Sequence, residues 1–141
     1  MLPALLPAVL LVDDDPTANF LNQRLLSRLN VSREVYVAQN GAEALSQLTT
    51  HCRAESTTCP ALVLLDLNMP VMDGFQFLEA YQHLPVAQRQ GTSIVILTSS
   101  MLPADQARAQ QLSVVGFLNK PLTREGLSAV LHEQFGFPPA A

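Results

Sequence analysis

The sequence predicts an α/β domain, a parallel sheet with helices on both faces. Two observations carry this. Five apolar runs alternate with five segments of helical periodicity, the pattern of repeated strand–helix units. The runs are also continuous rather than alternating, as in "AVLLV", "ALVLLD" and "SIVILTSS", which fits strands buried on both sides. At 141 residues and 48% hydrophobic content, the chain suits one domain with a well-packed core.

The elements follow in order. Residues 8–12 read as the first strand. Residues 16–29 read as a helix with Phe20, Leu21, Leu25, Leu26 and Leu29 on one face, capped by Asp15 and with Pro16 in its first turn. "REVYVA" (33–38) alternates like a strand, and 41–50 is a helix with Ala42, Leu45 and Leu48 inward. The third strand is 61–66. Residues 74–84 form a helix packed through Phe75, Phe77, Leu78 and Tyr81. A strand at 93–100, a polar helix at 103–112 and a strand at 114–119 come next. The last helix, 123–135, is closed by Gly136 and two prolines.

Composition narrows the function. The net charge is −4 and no Lys/Arg run occurs, which argues against direct nucleic-acid binding and against an anionic membrane partner. The N-terminal "MLPALLPAVLLVDDD" lacks a positive leader region and a small-residue cleavage site, and its apolar run is too short to span a bilayer. A cytoplasmic location is expected. Cys52 and Cys59 flank a polar segment after His51. A disulfide or a metal site is conceivable, but the expectation is two free thiols in a surface loop.

In an open α/β sheet, ligands bind outside the carboxyl ends of the strands. Those ends carry Asp13, Asp14 and Asp15 after the first strand and Asp66 at the end of the third. Thr98, Ser99 and Ser100 follow the fourth, and Lys120 with Pro121 follows the fifth. Each has a plain alternative: a helix-start acid, a turn acid, a strand threonine, a surface lysine. Together they suggest a site. Carboxylates about 4 Å apart repel by roughly 4 kcal/mol at an effective dielectric near 20, so such a cluster needs cations. Lys120 is one. Oxygen-only ligands select Mg²⁺ or Mn²⁺ as another. A carboxylate can also be a nucleophile toward phosphorus, with the cation, the lysine and a hydroxyl neutralising the phosphoryl oxygens.

"LLVDDDP", "LVLLDLNMPVMDG", "IVILTSS" and "FLNKP", in this order, resemble the receiver domain of two-component response regulators, similar to the stand-alone chemotaxis type, over nearly the whole chain. The resemblance implies a flavodoxin-like, doubly wound fold of five βα units with strand order 2-1-3-4-5. It implies one receiver domain over 1–141, with its core at about 8–136 and no output domain. It makes Asp66 the phosphoacceptor. It makes Asp13, Asp14, Asp66 and the backbone carbonyl of Leu67 the ligands of Mg²⁺ (or Mn²⁺). Thr98 and Phe117 match the switch pair and Lys120 the conserved-type lysine, with a cis bond to Pro121 expected. Asn68, Pro70, Ser99 and Pro121 would form the wall of the site, and Asp73 and Gly74 its neighbouring turn.

The implied function is a phosphorylation-dependent signalling switch rather than an enzyme. It would take a phosphoryl group from a sensor histidine kinase or phosphotransfer protein, then bind a downstream protein as a monomer or a phosphorylation-dependent dimer. One alternative is an aspartate-nucleophile phosphatase, which wants Asp-x-Asp where this chain has Asn68. The other is a receiver fold that has lost phosphorylation and acts by protein binding alone.

Overall fold

The computed structural model describes residues 5–53, 57–69, 72–89, 91–99 and 102–138. Five parallel strands form one sheet in the order β2-β1-β3-β4-β5: β1 Leu6–Val12, β2 Ser32–Ala38, β3 Leu62–Leu65, β4 Ser93–Thr98 and β5 Val114–Asn119. The helices between and after them are α1 Pro16–Leu29, α2 Gly41–His51, α3 Gly74–Tyr81, the single turn α4 Val86–Arg89, α5 Pro103–Gln110 and α6 Arg124–Phe135. This is the flavodoxin-like doubly wound arrangement that the alternating pattern and the resemblance led us to expect.

Side chains alternate between the two faces of each strand, so one strand feeds two cores. Leu10, Val12, Val63, Leu65, Ile94 and Ile96 pack against α2, α3 and α5. Val9, Leu11, Leu62, Leu64, Val95 and Leu97 pack against α1 and α6. Every residue of β3 is buried, and β1 has one partly exposed position, which explains their uninterrupted apolar sequences.

Local chemistry fixes the helix ends. Asp15 caps α1, accepting from Thr17 N at 3.0 Å. Asp73 and Gln76 form a reciprocal capping box on α3. Gly136 closes α6 with φ 71, a conformation glycine adopts without steric cost.

Several expectations change. β3 stops at Leu65, so Asp66 lies just outside the ladder, and β4 stops at Thr98. The helix expected over 74–84 ends at Tyr81, and that expected over 103–112 ends at Gln110. On α1 the inward face runs through Asn19 and Leu26, leaving Phe20 and Leu21 more than half exposed. An asparagine holds the position that an apolar residue would normally mark, which rotates the true face away from the apparent one. On α2 the buried alanine is Ala44, while Ala42 is exposed.

The cysteines are also corrected. Cys52 and Cys59 form a disulfide rather than two free surface thiols, and Cys52 is buried. The chain turns back after α2 to enter β3 and brings the two Cα atoms within 4.5 Å. Non-covalent contacts tie the same corner. His51 stacks on Tyr36 with ring centroids 4.2 Å apart, and the Tyr36 hydroxyl donates to Thr58 O at 3.2 Å.

Candidate functional site: an acid cluster with a lysine

The strand register sets the site. Val12 pairs with Leu65, so the residues that follow, Asp13 and Asp66, emerge side by side. The turn is pinned on both flanks: Asp13 N donates to Ala38 O at 3.0 Å and Asp66 N to Val12 O at 2.9 Å. Thr98 pairs with Asn119, and Lys120 N donates to Thr98 O at 2.9 Å, which carries Lys120 to the same edge. Thus β1, β3, β4 and β5 each deliver one group.

The groups converge. Carboxylate oxygens of Asp13, Asp14 and Asp66 lie within 4.8 Å of one another. Lys120 Nζ is 2.7 Å from Asp13 Oδ2 and 3.4 Å from Asp66 Oδ2. The other Asp13 oxygen accepts from Asp15 N at 2.9 Å, and Asp66 Oδ1 accepts from Asn68 N at 3.3 Å. Asp13 and Asp66 are only 4% and 6% exposed, whereas Asp14 is open to solvent. Lys120 is the sole lysine of the chain.

The electrostatics follow. Burial pushes the Asp66 carboxyl above its ordinary value, the Asn68 N–H and the Lys120 charge pull it back, and the Asp13 charge raises it again; the net direction is up. Burial lowers Lys120, but its hydrogen bond to Asp13 and the charges of Asp13 and Asp66 outweigh that, so its pKa is raised. Three carboxylates at this spacing repel one another by roughly 3 to 4 kcal/mol per close pair at an effective dielectric near 20. One ammonium offsets part of this. The remaining donor set, carboxylate oxygens only, fits a hard divalent cation.

The rest of the predicted set divides. Thr98 is fully buried. Phe117 is half-buried and packs on the α2/α3/α5 side of the sheet, the face that Ile96, and by alternation Thr98, also present. The Leu67 carbonyl already accepts from Gly74 N at 3.0 Å, which makes it the weakest member of the predicted ligand set. Asn68, Ser99 and Pro121 are exposed at the rim, and the Lys120–Pro121 bond is cis. Pro70 and Ser100 lie outside the described residues.

Gly74, read from the sequence only as part of a turn, and Asn19, which that reading missed, complete the site. A Cβ on Gly74 would come within 2.7 Å of Asp66 O and of Leu67 Cα, so glycine lets α3 start directly against the backbone of the acid loop. Asn19 is 4% exposed and donates from Nδ2 to Asp13 O at 2.8 Å. Its position seven residues before the buried Leu26, two helical turns back on the same face, was the available signal.

Comparison with known proteins identifies the family. The family model for the response regulator receiver domain matches residues 9–132. The chain is 32% identical over 128 residues to a probable chemotaxis protein CheY of Rhizobium etli, covering 91% of this chain and 92% of that protein. It is 32% identical over 124 residues to the response regulator Rre1 of Synechocystis, covering 88% of this chain but spanning only 49% of that relative's length. A two-component response regulator from Cytophaga hutchinsonii superposes with a TM-score of 0.81 at 26% identity, covering 92% of this chain and 97% of that one.

Proposed function

The chain belongs to the response regulator receiver domain family, and from that premise we propose that it is a phosphorylation-dependent switch with Asp66 as the phosphoacceptor. The observation that carries this is Lys120 Nζ lying between Asp13 and Asp66, within a cluster of three carboxylates at the carboxyl edge of the sheet. A bare acid cap on a helix would need neither a buried Asp66 nor a lysine brought from 107 residues away.

The phosphoryl donor is a phosphohistidine of a sensor kinase or phosphotransfer protein. An Asp66 carboxylate oxygen forms the new O–P bond as the donor's P–N bond breaks, and the departing imidazole takes up a proton. Asp13, Asp14, Asp66 and, more weakly, the Leu67 carbonyl would hold Mg²⁺ or Mn²⁺, which when bound would supply charge neutralisation for phosphoryl oxygens. Lys120 bridges Asp13 and Asp66 in the resting state, offsetting their repulsion, and is placed to pair with a phosphoryl oxygen once Asp66 is consumed. The Thr98 hydroxyl responds to the modified Asp66, and Phe117 follows on the same sheet face. The response reaches a downstream protein through the face of α5 and β5, where Leu102 is 60% and Val115 44% exposed. The domain turns over no external substrate, because Asn68 cannot act as the general acid an aspartate-nucleophile phosphatase needs. Among the described residues no helix is long and apolar enough to cross a membrane; we place the protein in the cytoplasm.

Beryllofluoride, an acyl-phosphate mimic, tests the reading. With Mg²⁺ present it should bind the wild type and shift the Phe117 ring resonances, and Asp66→Asn should show neither effect. A wild type that does not respond refutes the assignment.

A further inference from the structure

Asn19 has no part in the chemistry above, yet it is buried at the edge of the acid cluster. With Asp13, Asn22 and Asp66 it lines a tight crevice whose walls include Leu64 and Leu97. Its Nδ2 donates to the Asp13 carbonyl at 2.8 Å, which fixes the amide's orientation, because a flipped amide would set oxygen against oxygen. Its Oδ1 is buried with no hydrogen-bond partner among the described residues. An apolar side chain would remove this dry acceptor only by leaving the Asp13 carbonyl dry instead, so what the asparagine adds is the hydrogen bond that holds Asp13.

Asp13 is held at three points: its N–H on Ala38 O, its Oδ1 on Asp15 N, and its carbonyl on Asn19. Together they leave Oδ2 directed at Lys120. We infer that Asn19 is a positioning residue for the acid cluster. It fixes the main chain of Asp13 so that the carboxylate faces Lys120, Asp14 and Asp66 in the arrangement that can share a divalent cation. It touches neither the cation nor the phosphoryl group. The inference rests on reading Asp13 as a cation ligand.

The test uses the full chain with selectively labelled lysine, whose one side-chain signal is Lys120, titrated with Mg²⁺ alone. Asn19→Leu should bind Mg²⁺ about tenfold more weakly than wild type, the effect typical of a residue that orients a ligand. Its Tm should stay within about 3 °C, because one dry acceptor, Asp13 O, replaces another while apolar burial increases. Leu26→Ala, buried on the same helix face, supplies the contrast: Tm falls and Mg²⁺ affinity holds. If Asn19→Leu does not fold, Asn19→Ser is measured in its place with the same expected loss of affinity. Unchanged affinity in the folded Asn19 variant overturns the inference, as does an equal loss in Leu26→Ala. A wild type that fails to bind Mg²⁺ refutes the reading of the site itself.

Discussion

The two ends of the sheet are built on opposite terms. At the carboxyl end lie all the described buried polar side chains: Asp13, Asn19, Asp66 and Thr98. Two of these are like-charged carboxylates, and one carries an unpartnered oxygen, a cost of about 1 to 3 kcal/mol for such a group. At the amino end the corner between α2 and β3 carries a disulfide, a ring stack and satisfied hydrogen bonds, and none of the buried charges. One end is costly to hold, the other is tied down. The proposed function accounts for the difference, since nothing in packing requires acids at the costly end.

Removing the cation should have the largest effect. Lys120→Met leaves Asp13 and Asp66 adjacent and uncompensated, and should cost about 3 kcal/mol at neutral pH in urea denaturation. The deficit should shrink as acid neutralises Asp66, whose raised pKa lies above the ordinary 3.8. A deficit that persists in acid would mean that repulsion is not its source.

The opposite end should respond differently. Replacing both Cys52 and Cys59 with alanine reopens a short loop and should cost about 2 to 3 kcal/mol by the chain-entropy account. Mg²⁺ affinity should not change. If it weakens, the two ends are coupled and the contrast fails.

Asp66→Asn should move stability upward, by about 3 °C in Tm at pH 7. The sign follows from linkage. A carboxyl whose folded pKa is raised favours the fold fully below its unfolded value near 3.8, and that contribution is lost as pH rises through the folded pKa. The amide therefore gains over the wild type above that window, and the gain should vanish below it. Lys120 has the same sign at the other extreme: its contribution is complete below 10.5 and is lost as pH rises through its raised pKa. A destabilised Asp66→Asn at pH 7 would show that the buried carboxylate is not a cost.

Smallest is the exposed Arg108–Glu79 pair between α5 and α3. With both side chains about half exposed, Arg108→Ala should cost under about 1 kcal/mol in thermal denaturation, despite the Phe75 ring 4.2 Å from the guanidinium. A larger loss would put a second energetic centre outside both ends.

Much of this was legible in the sequence for physical reasons. Doubly buried strands must be apolar throughout, so β1, β3 and β4 announced themselves, and the acids and the lysine stood out at their ends. Asn19 did not, because an asparagine reads as surface until its hydrogen bond to Asp13 is seen. Phe20 and Leu21 misled for the converse reason, since single exposed apolar residues are common and carry no signature. The disulfide was hidden because pairing depends on how the loop returns to β3, and spacing does not show that. Gly74 was read as part of a turn, while its close approach to the Asp66 backbone is visible only in three dimensions.

The proposed function keeps the costly end for phosphoryl chemistry at one acceptor carboxylate, Asp66. Its most direct test is labelling by a small phosphodonor with Mg²⁺, followed by mass mapping of the modified residue. A single phosphoryl group on Asp66, absent without Mg²⁺ and absent in Asp66→Asn, is the predicted result. Labelling that persists in Asp66→Asn, or maps elsewhere, would contradict it.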